Sequence, residues 1–131
     1  MMPQAEGSPK AGEPLPTLII TLPVPSIKVS PNGRGHWRTK HRHTKRYRSL
    51  AVLMTKQALN GGPAPRPVAY SLSYHWSTPR RDDDNAIASA KAYMDGICEA
   101  LGIDDRTLRF RQIHHARANN KPRLEITLHL S

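Results

Sequence analysis

The chain has 131 residues, enough for one compact domain with a modest core, and its 20 lysines and arginines outweigh 10 aspartates and glutamates. This basic balance favours a polyanionic partner. A single cysteine, Cys98, excludes an intramolecular disulfide, and without an apolar run of about 18 residues or a signal-peptide pattern we expect no membrane span and a cytoplasmic location.

The N-terminal part of the chain divides into a tail and a strand. Residues 1–16 are rich in Gly, Pro, Ser and Glu, which predicts a mobile tail before a single domain over residues 17–131. The β-branched and apolar residues from Thr17 to Val24 predict the first strand, which Pro23 and Pro25 end.

A strongly basic segment follows a turn at residues 30–33. It contains Trp37, Tyr47, three histidines and no acidic residue, and its cations are Arg34, Arg38, Lys40, Arg42, Lys45, Arg46 and Arg48. Uncompensated cations interleaved with aromatic residues favour contacts with nucleic-acid phosphates, and the alternative is a solubilising surface. No cysteine or carboxylate accompanies the histidines His36, His41 and His43, which disfavours a metal role for them.

The basic segment leads into a helix predicted from about Thr44 to Asn60, which Gly61 and Gly62 end. Its predicted buried stripe consists of Leu50, Leu53, Met54 and Ala58. A second strand is predicted from Val68 to Thr78, with one face formed by Val68, Tyr70, Leu72, Tyr74 and Trp76. It leads to Arg80 and Arg81, which we add to the predicted nucleic-acid-binding cations.

Three aspartates come directly after these arginines. In an extended chain Asp82 and Asp84 share one face and Asp83 points away. Asn85 suits the N-cap of a second helix that ends before Gly102, and its apolar stripe is formed by Ile87, Ala90, Met94, Ile97, Cys98 and Leu101. Lys91 and Asp95 form an i,i+4 pair at the edge of this stripe.

The second helix returns the chain to another acidic pair, Asp104 and Asp105. Carboxylates from Asp82, Asp84 and Asp105, with Asp104 as the fallback for Asp105, are predicted to bind Mg²⁺, or Mn²⁺ as the alternative ion. The competing interpretation of an aspartate run is a solvated turn or helix N-terminus.

Two final strands are predicted over Thr107–Arg117 and Leu124–Leu130, with no role assigned to His114 or His115. The order β–α–β–α–β–β predicts an α+β domain in which two helices pack on a mixed sheet of about four strands.

These motifs resemble the RusA family of Holliday-junction endonucleases. The similarity covers the first strand LIITLPVPS, the arginines with Asp-x-Asp-Asn, the lysine-bearing helix, the closing Asp-Asp and the last strand PRLEITLHL. It implies a bacterial or phage-encoded, Mg²⁺-dependent homodimer that resolves four-way DNA junctions by paired nicks, without a small-molecule cofactor. Carried over, the catalytic residues are Asp82, Asp84, Lys91 and Asp105. Ala88 occupies the usual place of the family lysine, and Lys91 lies about one helical turn later.

Two other functions remain open from the sequence. One is a non-catalytic basic nucleic-acid-binding module, in which the aspartates balance Arg80 and Arg81. The other is a nuclease that prefers flaps or replication forks to junctions.

Overall fold

The computed structural model describes residues 17–25, 37–77, 82–118 and 120–130, with the side chains of the first helix described from His41 onward. The predicted tail, Arg34, Arg80 and Arg81 lie outside the described residues, and so do the side chains of Arg38 and Lys40.

The domain is built on a four-stranded mixed sheet. Its strands are β1 (Thr17–Leu22), β2 (Ala69–Trp76), β3 (Arg109–Arg117) and β4 (Arg123–His129), and they lie in the order β1-β4-β2-β3. Strand β4 pairs antiparallel with both β1 and β2, whereas β2 and β3 are parallel. Strict alternation turns one side chain in two towards the helices, so that Leu124, Ile126 and Leu128 are buried.

The helices α1 (Trp37–Leu59), α2 (Asp83–Ser89) and α3 (Lys91–Leu101) are followed by a 3₁₀ turn at Asp105–Thr107. Helix α3 contributes Tyr93 and Ile97 to the centre of the core, where both are fully buried against the sheet residues. Gly102, with φ of 71°, ends α3 in the left-handed conformation that glycine adopts without strain. The prediction of an α+β domain with a four-stranded mixed sheet is therefore confirmed.

The predicted second helix is two helices joined at Ala90. The Ala90 amide donates to the carbonyl of Ile87 at 3.1 Å, a tight three-residue turn, and regular α-helical bonding resumes when Met94 donates to Ala90 at 3.0 Å. Ala90 is itself buried in the core, so the junction between α2 and α3 faces the sheet. The apolar residues of both helices therefore still pack on the core.

The predicted buried stripe of α1 is partly wrong. Leu53 is 53% exposed and Ala58 is exposed, while Ala51 and Thr55 are fully buried. The close approach of α1 to Gly96 of α3 sets this face, because the small residue Ala51 must lie at the contact. Helix α1 also begins at Trp37, before the predicted start at Thr44.

Candidate functional site around Lys91 and Asp105

The aspartate run is a helix start and not a strand. Asp82 is the N-cap of α2, and Asp83 and Asp84 lie in its first turn. The predicted alternation of Asp82 and Asp84 on one face of an extended chain is therefore wrong, because helical residues are spaced by about 100° around the axis. Asn85 is likewise not the N-cap: it lies in the first turn and its amide donates to Asp82 Oδ2 at 3.1 Å.

Asp83, which the sequence predicted to point away from the site, contacts strand β3. Trp76 Nε1 donates to His115 Nδ1 at 2.8 Å, and His115 Nε2 lies 2.7 Å from Asp83 Oδ1. Since the indole N–H can only donate, Nδ1 must accept, and the proton of the neutral imidazole is on Nε2 and points at the carboxylate. This chain of contacts fixes the first turn of α2 to the sheet.

Lys91 lies between two carboxylates. Its Nζ is 3.4 Å from Asp95 Oδ1, the predicted i,i+4 pair, and 3.7 Å from Asp105 Oδ2. The Lys91 side chain is 70% exposed and that of Asp105 is 48% exposed, so the ammonium group is reachable from solvent while its two acidic neighbours offset its charge.

These three groups line a pocket of about 210 Å³. Its remaining walls are Tyr70 of β2, Leu108, and the helix residues Ile87, Ala88 and Met94. Asp84 is one helical turn before Ala88, a rise of about 6 Å along the axis, and it is exposed beyond the pocket wall. Asp82 is a further two residues away.

The structure therefore brings Lys91 and Asp105 together and leaves Asp82 and Asp84 outside their pocket. Within residues 17–25, 37–77, 82–118 and 120–130, no group of three or more His, Cys, Asp and Glu side chains is placed to hold a metal ion.

Asp104 has a structural task of its own. It caps the 3₁₀ turn, where its Oδ1 accepts the Arg106 amide at 2.9 Å, and its Oδ2 pairs with the Arg106 guanidinium at 2.9 Å. These hydrogen bonds with Arg106 hold the pKa of the Asp104 carboxyl well below its usual range. Of the two adjacent aspartates, Asp105 is the one that faces the pocket.

A second groove connects the carboxylates to the basic helix. Arg48 of α1 pairs with Glu99 of α3 at 2.9 Å, and both line this groove together with Asp95, Cys98 and Asp105. Lys45 and Arg48 also line the neighbouring depression along α1 with His41, and Arg42 and Arg46 are exposed on the same helix. The described part of the predicted phosphate-binding segment thus adjoins Asp95 and Asp105.

Cys98 is buried, as predicted, and its thiol is not a reactive group of the groove. Burial, and after it the negative charges of Asp105 and Asp95, raise the pKa of its thiol to about 11. The sulfur therefore stays a neutral thiol at pH 7 and packs as a small apolar group.

Tyr70 is a site residue that sequence reasoning placed only on a strand face. Burial raises the pKa of its hydroxyl, which therefore stays neutral beside Lys91 and Asp105. The alternation of β2 indicated that Tyr70 shares a face with Tyr74 and Trp76, but it could not show that this end of the strand is left open by the helices.

Comparison with known proteins identifies a similar protein whose function is uncharacterized. No known protein-family profile matches the chain. An uncharacterized protein of Xylella fastidiosa is 42% identical over 91 residues, which cover 66% of this chain and 60% of that protein. This chain therefore spans less than two thirds of the length of its relative.

One similar solved structure is thiamine-monophosphate kinase from Stenotrophomonas maltophilia. The alignment covers 91% of this chain and 31% of the kinase chain, at 16% sequence identity and a TM-score of 0.36. In the part of the chain that the structure describes, no helix has the length and apolar character needed to cross a membrane.

Proposed function

We propose that this protein is a Mg²⁺-dependent, structure-specific endodeoxyribonuclease that acts on branched DNA. The observation that supports this best is the position of Lys91, whose ammonium lies between Asp95 and Asp105 in a pocket adjoining the cationic helix α1. Such a site offers hard oxygen ligands, a solvent-accessible ammonium group and a phosphate-binding surface next to one another.

The donor set suits a divalent ion in chemical type, since carboxylate oxygens are the ligands that Mg²⁺ prefers. Asp105 in the pocket is one proposed ligand, and Asp84 and Asp82, which lie outside this pocket at the start of α2, are the others. Among the described residues the three carboxylates do not form one metal-binding group. When bound, the ion would supply an activated water and offset the charge that develops on the scissile phosphate.

The chain's own residues would do the remaining work. The Lys91 ammonium, already accessible to solvent, would pair with a phosphate oxygen and stabilise the charge that grows there. Arg42, Lys45, Arg46 and Arg48 would bind phosphates further along the strand. The contact of Asp83 with His115 would keep the first turn of α2, and with it Asp82 and Asp84, in a fixed place.

The resemblance to RusA enzymes supports a four-way junction as the substrate and a two-fold homodimer as the assembly. Two symmetric nicks across a junction require two active sites related by a two-fold axis, which a homodimer supplies. Action on cellular or phage DNA implies a cytoplasmic location.

The test is cleavage of a labelled synthetic four-way junction, a fork and a linear duplex, each with Mg²⁺, with Mn²⁺ and with a chelator. We expect metal-dependent cleavage of branched substrates only, and its loss in Asp84→Asn and in Asp105→Asn. Asp104→Asn makes the same chemical change in the adjacent carboxylate, which caps the 3₁₀ turn. Because Asp104 is also the predicted fallback for Asp105, retained cleavage in this variant assigns the ligand role to Asp105. Cleavage at the wild-type rate by Asp105→Asn would rule out the proposed site.

A non-catalytic nucleic-acid-binding module is the second candidate, and one observation favours it. Asp82 and Asp84 lie outside the pocket of Asp105, so the three carboxylates do not form one metal-binding group in the structure. Tight, salt-sensitive junction binding without cleavage under any metal condition would establish this function instead.

A further inference from the structure

An exposed aromatic and basic groove lies beside the pocket of Lys91 and Asp105. It has a volume of about 480 Å³, and its lining residues are Val68, Ala69, Thr107, Arg109, Phe110 and Arg111. Phe110 is 40% exposed and Val68 is 46% exposed, although both are large apolar side chains. Nothing in the proposed cleavage chemistry uses this groove.

An irregularity in the sheet creates the groove. The parallel pairing of β2 with β3 skips Arg111, since Tyr70 pairs with Phe110 while Ser71 pairs with Gln112. In a regular strand Phe110 and Arg111 would project from opposite faces, but a bulge redirects side chains locally. Here both residues line the same groove.

The groove is also continuous with the candidate site. The ring of Phe110 packs edge-on against that of Tyr70, with their centroids 5.6 Å apart, and Tyr70 forms a wall of the pocket of Lys91 and Asp105. A strand whose phosphate lies at Lys91 therefore has an aromatic surface within reach of the adjoining nucleotide.

The charges of the groove match a nucleic-acid strand. Its lining contains two arginines and no carboxylate, and neither arginine forms an ion pair with a described residue. Both guanidinium groups are exposed. Free cations beside an exposed aromatic ring are the combination that binds single-stranded nucleic acid, where the base stacks and the cations hold the phosphates.

We infer that this groove binds an unpaired nucleotide of the DNA strand next to the proposed cleavage position, with its base on Phe110 and its flanking phosphates at Arg109 and Arg111. The inference rests on the proposed function, because it names the part of the substrate that adjoins the site.

The test is fluorescence anisotropy of the full chain with two labelled oligonucleotides of equal length, one of thymidines and one of abasic residues. We expect the wild-type protein to bind the thymidine strand roughly tenfold more tightly than the abasic strand. Phe110→Ala should remove this difference, whereas Phe110→Trp, which keeps an aromatic ring, should retain it. Arg111→Gln should weaken binding to both strands and reduce its salt dependence.

Melting curves show whether each variant is folded. Phe110→Leu is the variant for this comparison, because it retains an apolar side chain at the groove without an aromatic face. A folded Phe110→Leu protein with wild-type preference for thymidine over abasic DNA would overturn the inference. Sedimentation velocity adds a second way to refute it: if Phe110→Ala converts a dimer to a monomer, the groove is a subunit interface.

Failure of this inference and failure of the proposed function give different results. If only the inference fails, Phe110→Ala binds and cleaves junctions like the wild type while Asp105→Asn does not cleave. If only the proposed nuclease activity fails, the stacking preference depends on Phe110 but no variant or metal gives cleavage.

Discussion

Replacement of Gly96 by alanine tests the packing that holds the two helices of the candidate site together. A methyl group at this position would collide with the carbonyl oxygen of Arg48 and would lie 2.8 Å from Ala51 Cβ, well inside a normal contact distance. Intrinsic helix propensity alone would make this change stabilising by about 1 kcal/mol. Overpacking of a tight contact costs about 1–3 kcal/mol, and here a rigid backbone carbonyl forces α1 away from α3.

We expect Gly96→Ala to lower the free energy of unfolding by about 2 kcal/mol, which corresponds to about 8 °C in melting temperature for a domain of this size. Urea unfolding followed by circular dichroism measures the first quantity and thermal melting the second. Ala100→Gly in the same helix is the matched control and should cost about 1 kcal/mol through propensity alone. A Gly96→Ala protein more stable than the wild type would refute the close helix contact.

Three further predictions concern single side chains. Tyr93→Phe should lower the free energy of unfolding by about 1–2 kcal/mol in urea titrations, because the buried hydroxyl donates to the Pro23 carbonyl at 2.7 Å. Burial, and after it the Arg111 charge, lower the pKa of His129 below 6.5, so the unfolded chain binds this proton more readily. The free energy of unfolding should therefore fall as the pH is lowered from 7 through 6.5, and His129→Gln should flatten that slope in melts at each pH. Lys91→Met should change stability by less than about 1 kcal/mol, because the side chain is 70% exposed, yet slow junction cleavage by about 100-fold in single-turnover assays.

Matched changes serve as controls for these three predictions. Tyr70→Phe removes a hydroxyl that forms no hydrogen bond with a described residue, and it should be nearly neutral. His114→Gln removes an exposed histidine from β3, and Lys56→Met an exposed lysine from the last turn of α1. An unchanged pH slope in His129→Gln, or full cleavage by Lys91→Met, would contradict the corresponding reasoning.

Sequence patterns predicted the fold well because most of its elements carry a strong local signal. The period-two pattern of Leu124 to Leu130 and the glycine after Leu101 each have a direct structural consequence, and both predictions are confirmed. The break at Ala90 had no such signal, since alanine favours a continuous helix. Tertiary packing decides the geometry there, because Ala90 is buried at the junction of α2 and α3.

The candidate site was harder to predict because it depends on where one helix begins. If the chain stays extended through Asp84, two aspartates share a face, but a helix that starts at Asp83 turns each of the three in a different direction. The long-range bond between Asp83 and His115 favours the helical start, and residues 32 positions apart give no pairwise signal in a single sequence. By contrast, Lys91 and Asp95 are separated by one helical turn, so their pairing follows from spacing alone and is confirmed. Local spacing therefore predicts the lysine side of the site, whereas the aspartate side depends on contacts that only the folded sheet supplies.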